Sequence, residues 1–199
     1  MKRLDLMLED QHLMTLNSMF ALVLGTLLVF NITAGNNQDG LSFLTFPVAA
    51  EASVGTPERL EIPSLKINTN IESVGLTASG ELEVPKNSND VGWYQLGPKP
   101  GEIGNAVIDG HLDTPDSAAI FWNLKKLKAG AEIDVFDQQG RKTAFQVSSM
   151  QSYDLDKAPM DQIFGASDNV NLNLITCDGT WNEATHTYTK RLIVYAKEM

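Results

Sequence analysis

Glu132-Ile-Asp-Val-Phe136 and Thr143-Ala-Phe-Gln-Val-Ser-Ser149 flank Asp137-Gln-Gln-Gly140, a short polar loop with a glycine where a positive φ fits. Two apolar runs joined in this way read as a β-hairpin. Outward from the hairpin the same texture runs from Arg59 almost to the carboxy terminus: short stretches rich in β-branched and apolar residues, broken by turn signals at fairly even intervals. The stretches Arg59–Ile62, Lys66–Glu72, Ala106–Gly110, Leu172–Cys177 and Arg191–Ala196 read as further strands, and the second arm of the hairpin extends to Ser152. Short helical pieces are expected at Ala118–Leu127 and Asp161–Gly165. Neither is long enough to cover a sheet as a crossover layer, and the strands are too closely spaced for a doubly wound architecture. An all-β domain, a small closed or nearly closed β-barrel, is therefore expected.

The chain has 199 residues, 43% of them hydrophobic, and a single cysteine, Cys177. That length leaves room for one domain of about 140 residues plus an extension. The formal net charge of -10 argues against a nucleic-acid partner. Lys125, Lys126 and Lys128 form the densest cationic cluster, and they read as a solvated face rather than a phosphate track. One cysteine allows neither an internal disulfide nor a Cys-rich zinc site. The phosphate loop GxxxxGK[ST] is absent, and Gly101-x-x-Gly104 lies in a turn before a strand. The acidic residues near Asp113 and Asp116 form no calcium loop. No cofactor and no metal are expected.

Ahead of the barrel the composition changes. From Gln11 to Gln38 there is no Asp, Glu, Lys or Arg, and residues 13–32 are dominated by Leu, Val, Phe and Met. About 20 residues of helix span about 30 Å, the thickness of a bilayer's hydrocarbon core. Lys2 and Arg3 precede this segment and no further Lys or Arg occurs until Arg59, so the positive-inside rule sets the amino terminus in the cytoplasm. The expected organisation is a cytoplasmic tail at 1–12, a transmembrane signal anchor at 13–32, an extracytoplasmic linker without stable fold at 33–57, and an extracellular β-barrel domain at 58–199. A cleaved signal peptide competes with this reading, but its small-residue site, Ala50-Glu-Ala52, lies too far beyond the apolar run. A buried core helix would show a charged face, and this segment has none. An unpaired thiol outside the cell risks oxidation, which brings a chemical role for Cys177 level with the commoner reading of a lone cysteine as a small buried hydrophobe.

A thiol nucleophile needs a lowered pKa or a nearby base, a group that protonates the leaving amine, and a cation or donor for the oxyanion. Cys177 ends the run Leu172-Asn-Leu-Ile-Thr-Cys177 and precedes Asp178-Gly179, which reads as a turn, so its sulfur is expected at a barrel rim. His111 directly follows Ala106-Val-Ile-Asp-Gly110, with Gly110 leaving space for substrate backbone. Arg191 opens the last strand after Asp178–Lys190, a segment read as a loop able to arch over the site. Imidazole suits proton transfer near neutral pH, while guanidinium does not titrate and suits charge stabilisation. Each residue also has a structural reading: His111 as a turn histidine bonded to Asp113, Arg191 as a surface cation paired with Glu183 or Glu198, Cys177 as core. His186 is nearer to Cys177 in sequence but sits in a polar loop. Trp93 and Trp122 read as packing residues, and Trp181 lies in the segment beside the thiol.

Asn173-Leu-Ile-Thr-Cys177 resembles the Thr-Leu-x-Thr-Cys signature of the sortase family, and Gly110-His-Leu-Asp113 resembles its Gly-His-x-Asp. Arg191-Leu-Ile-Val-Tyr-Ala196 resembles the family's closing Arg strand, and the order and spacing agree. Residues 121–130, leading into Glu132-Ile-Asp-Val-Phe136, are similar to the stretch that follows the family's histidine. The resemblance runs from about Arg59 to Lys197. It implies a sortase-like eight-stranded β-barrel with one or two short helices, and a cell-wall sorting reaction of Gram-positive-type bacteria. Cys177 is implied to attack the Thr–Gly carbonyl of an LPxTG-like sorting signal, and His111 to protonate the departing glycine amine. Arg191 is implied to hold the substrate backbone and stabilise the oxyanion, and an amine of peptidoglycan or of a lipid-linked precursor to resolve the thioacyl enzyme. Asp113 is implied to orient His111, with Thr176 and Trp181 as further substrate-binding or orienting positions.

Asn173 departs from the usual Thr, which bears on substrate preference rather than on thiol chemistry. Asp178-Gly-Thr-Trp181 resembles the branch of smaller sortases called class F, or class D-like. The pilin-polymerising branch carries a membrane segment after its last strand, so wall anchoring rather than pilus assembly is expected. The L,D-transpeptidase pattern, with its His a few residues before its Cys, does not fit. A thiol hydrolase on the same scaffold and a non-catalytic surface binding module stand as the alternatives.

Overall fold

The hairpin at the centre of the sequence forms as β5 (Glu132–Asp137) and β6 (Lys142–Asp154), and Gly140 takes φ 76° in its loop. The computed structural model describes residues 53–199. The expected tail 1–12, membrane span 13–32 and most of linker 33–57 lie outside the described residues. The other strands are β1 (Pro57–Ile62), β2 (Ile67–Val74), β3 (Val91–Tyr94), β4 (Gly104–Gly110), β7 (Val170–Asn182) and β8 (Thr187–Glu198), with a short helix α1 (Met160–Phe164) before β7. They close into a barrel in the order β1-β2-β3-β4-β7-β8-β6-β5. The β2–β3 and β4–β7 pairs are parallel, and β1 closes the barrel antiparallel to β5. Among the described residues no helix is long and apolar enough to cross a membrane.

Side-chain alternation gives the central strands two buried faces. Ala106 and Ile108 of β4, Leu172 and Leu174 of β7, and Leu192, Val194 and Ala196 of β8 join the interior with Leu60, Ile62, Ile133 and Phe145. The alternate positions Val107, Ile175, Ile193 and Tyr195 form a second apolar layer with Tyr94 and Ile163. Burial of one such aliphatic side chain contributes about 1.5–3 kcal/mol, so the outer layer adds stability as well as shape.

Several expectations need correction. The Ala118–Leu127 segment forms only a 3-10 turn at Leu124–Lys126. The amides of Ala119, Ile120 and Phe121 donate instead to the carbonyls of Leu112, Ser88 and His111, so the donors of a first helical turn are taken by neighbouring chain. The Asp178–Lys190 segment is no loop: β7 continues to Asn182 and β8 begins at Thr187. Asp178-Gly179 marks a β-bulge, the register shifting between Asp178↔Lys190 and Trp181↔Tyr188, with Gly179 at φ 84°. The end of the linker belongs to the folded body, since Ser53 and Val54 accept hydrogen bonds from Arg141 Nη2 and Lys99 Nζ and Pro57 opens β1.

Candidate active site

The site is set by strand register. Asp109 of β4 lies opposite Ile175 of β7, and Cys177 of β7 lies opposite Arg191 of β8. Residues in register share a face, as do residues two apart along a strand. His111, one residue past β4, joins Cys177 and Arg191 in lining a cleft of about 140 Å³. The three groups therefore meet, just past the point where the β4–β7 ladder ends at Asp109↔Ile175. Cys177 and Arg191 sit within their strands, and the cleft lies on the outer layer, with Leu76 and Leu82 from the β2–β3 connection and Ala158, Ile163 and Phe164 from around α1 among its lining residues.

His111 Nε2 donates to the Pro85 carbonyl over 2.9 Å. A carbonyl only accepts, so this contact places a proton on Nε2 and leaves Nδ1 as the nitrogen free to exchange one. Arg191 is held by backbone: Nη1 donates to the carbonyls of Lys190 (2.9 Å) and Tyr188 (3.2 Å), and Nη2 to Thr187 Oγ1 (3.2 Å). Among the described residues no carboxylate forms an ion pair with Arg191, contrary to the surface-cation reading with Glu183 or Glu198. Its positive charge remains available to an anion in the cleft. Cys177 is a free, half-buried thiol. Burial pushes its pKa up, Arg191 pulls it down, and Asp109 and Asp113 push it further up. The resting sulfur therefore keeps its proton at neutral pH, and attack requires a base in the cleft.

The residues around these three hold the frame. Thr176 Oγ1 is buried and donates to the Gly110 carbonyl over 2.7 Å, fixing β7 against the strand that leads to His111. The space beside Gly110 is filled by Phe121 rather than left for substrate, since a Cβ at Gly110 would lie 2.6 Å from the Phe121 ring. Asp113 accepts the Tyr188 hydroxyl, a bond that helps push the Tyr188 pKa up to about 12. The ring nitrogen contact of His111 goes to Pro85, so Asp113 ties the His111 loop to β8 instead of gripping the imidazole. Trp181 is 46% exposed and packs edge-on against Tyr188 at 5.5 Å and His186 at 6.3 Å. His186 sits between β7 and β8, outside the cleft lining. Trp93 is buried as expected, with Nε1 donating to the Pro98 carbonyl, whereas Trp122 is exposed and carries Lys125 over its ring.

Asp109 was not singled out by sequence. It is buried, it lines the cleft, and burial raises its carboxyl to about 8 against the pull of Arg191. The available signal was an acidic residue two positions before His111 in an otherwise apolar strand, which puts both on one face. Among the described residues no cluster of three His, Cys, Asp or Glu side chains could hold a metal.

Comparison with known proteins bears on the whole barrel. No curated protein matches the chain by sequence. Sortase C1 of Streptococcus agalactiae, solved in complex with MTSET, is similar with a TM-score of 0.56 and 22% identity over 72% of this chain and 69% of that one. A lid mutant of sortase A from Corynebacterium diphtheriae has a TM-score of 0.56 and 20% identity over 74% and 72% of the two chains. The sortase D5 transpeptidase of Clostridium perfringens has a TM-score of 0.53 and 21% identity over 72% and 79%. These likenesses concern the fold, while the Sortase domain family matches the sequence itself over residues 60–199. The chain belongs to the sortase family of cysteine transpeptidases, which anchor surface proteins to the cell wall.

Proposed function

We propose that Cys177, His111 and Arg191 divide one acyl transfer among them, acting on an LPxTG-like sorting signal. His111 takes the proton of the Cys177 thiol, and the sulfur attacks the Thr carbonyl carbon. The oxyanion that forms is met by the Arg191 guanidinium, which backbone carbonyls hold in place. As the Thr–Gly bond breaks, His111 delivers a proton to the glycine nitrogen, leaving a thioester on Cys177. An amine of peptidoglycan or of a lipid-linked precursor then attacks the thioester. It loses a proton, forms the amide and releases the thiol. No electrons are exchanged with any other species.

The observation that carries this reading is the cross-strand pairing of Cys177 with Arg191 beside His111 in one cleft. The wider proposal places the catalytic domain outside the cell, tethered by a signal anchor at 13–32 and a linker, with the amino terminus cytoplasmic. Its support is the charge-free apolar run flanked by Lys2 and Arg3. The Asp178-Gly-Thr-Trp181 string supports a place in the class F or class D-like branch.

The test incubates the full-length chain with a quenched LPxTG-type peptide and either an oligoglycine or a diaminopimelate-type amine. Amide product together with a peptide mass on Cys177 is the expected result. Acid product alone would make the chain a hydrolase, and absence of any adduct on Cys177 would leave a binding module. Full-length protein found wholly in the soluble fraction would reject the anchor.

A further inference from the structure

Asp109 stands out among the residues that line the cleft. It is 9% exposed, and its Oδ1 meets no hydrogen-bond donor among the described residues. Asp134 Oδ1 also lacks a hydrogen bond but has the Lys142 ammonium at 3.1 Å. No ion pair engages Asp109 among the described residues, and the Arg191 guanidinium is directed to Tyr188, Lys190 and Thr187. The sheet makes room for the carboxyl: Gly92 of β3 lies opposite Asp109, and a Cβ there would come within 3.2 Å of Oδ1 and within 2.8 Å of Val74. Nearby lining residues are apolar, including Leu82, Ile163, Ile175 and Ile193. An aliphatic residue would suit β4 and the surrounding layer better. A buried carboxyl left unpaired in such a place is uncommon in folded proteins, and its missing partner is naturally supplied by what the cleft binds.

The substrate's direction in the cleft follows from the chemistry. Between the two half-reactions the acyl portion stays on Cys177 while one amine leaves and another arrives, so the enclosed apolar part of the cleft suits the acyl side. Asp109 lies one row further into that part than Cys177, next to Ile175. Resting on the transpeptidase reading above, we infer that Asp109 determines specificity: it accepts a hydrogen bond from a donor-bearing side chain on the acyl side of the sorting peptide, roughly two residues from the scissile carbonyl. The donor is a hydroxyl, a carboxamide or an ammonium. Any of them completes the carboxyl, whereas a purely aliphatic side chain seals it away from water unpaired.

The test compares cleavage by the full-length chain of LPxTG-type peptides in which each of the three residues before the Thr is varied in matched pairs: Thr against Val, Asn against Leu, Lys against Met. At one position the donor-bearing member should win by about tenfold or more in kcat/KM, and Asp109→Ala should bring that pair to within about twofold. Asp109→Asn keeps a side-chain carbonyl, so it should retain the Thr and Asn preferences and lose any preference for Lys. Cooperative thermal unfolding of both variants establishes that they are folded. Wild type and Asp109→Ala ranking the pairs identically would overturn the inference and leave the transpeptidase reading standing. Failure of the wild type to cleave any member of the panel would overturn the transpeptidase reading, and the inference with it.

Discussion

Cys177 and Arg191 face each other across β7 and β8, so the nucleophile and the cation are placed by sheet register rather than by a loop. Arg191 spends its donors on backbone carbonyls and a threonine hydroxyl and has no carboxylate partner among the described residues. The planar fork can hold those bonds and still offer positive charge to the oxyanion, which a lysine ammonium cannot do from the same position. Arg191→Lys should therefore lower kcat for peptide cleavage by about 10²–10³-fold, with a smaller effect on KM. Steady-state kinetics of peptide cleavage check this. A lysine variant with near wild-type kcat would show that charge alone suffices.

Burial keeps the Cys177 thiol above its ordinary pKa despite Arg191. The thiolate form is thus minor at neutral pH, and alkylation of Cys177 by a small reagent should keep accelerating beyond pH 9. In the proposed mechanism His111, held through Nε2 by Pro85, serves as the base and acid that makes the thiol useful at neutral pH. His111→Ala should cost about 10²–10⁴-fold in kcat. Full activity in that variant would move the assignment to another group, with His186 the next to examine.

The barrel was legible because apolar strands and turn residues alternate at even spacing, and because the Cys, His and Arg each stand beside such a strand. What was missed has physical causes. β3 is four residues long, buried on both sides and interrupted by Gly92, so Val91–Tyr94 offers neither length nor alternation. Asp178-Gly179 reads as a turn because a positive φ at glycine serves turns and bulges alike, and only the partner strand decides which. Phe121, Leu124 and Leu127 have the i, i+3, i+6 spacing of a helix, yet their segment is anchored to the His111 loop by backbone bonds that no local pattern encodes. The role of Asp113 was displaced for a similar reason, its partner Tyr188 being 75 residues away.

Tyr188 touches both sides of the site. Its hydroxyl donates to Asp113 in the loop after His111, and its carbonyl accepts from Arg191 Nη1. Removing the hydroxyl should let the His111 loop drift relative to the thiol while leaving the cleft's apolar walls in place. Tyr188→Phe is expected to lower kcat by about tenfold with KM little changed, since misplacement acts on chemistry more than on binding. Asp113→Asn should produce a similar loss. The double variant should lose no more than either single one, because both remove the same bond. Additive losses in this cycle would mean that the two side chains act separately.

Asp109 makes stability depend on pH in a direction that can be derived. Its carboxyl has an ordinary value of 3.8 and is raised by burial to about 8, with Arg191 opposing. His111, Cys177 and Arg191 are the other titratable or charged groups that line the cleft near it. Below about pH 4 the group is protonated in both native and unfolded chains, and its contribution is constant. Between pH 4 and pH 8 the native chain retains a proton that the unfolded chain releases, so stability falls as pH rises, and the loss is complete above about pH 8. Asp109→Asn removes this slope without changing the shape of the side chain. The variant's advantage over wild type should grow from pH 5 to pH 8 and then level, reaching at least about 2 kcal/mol. Denaturant unfolding of both proteins across that range measures the gap. A gap that stayed flat or shrank toward alkaline pH would mean that Asp109 is ionised in the native protein, and therefore that the cleft already supplies the carboxylate with a counter-charge.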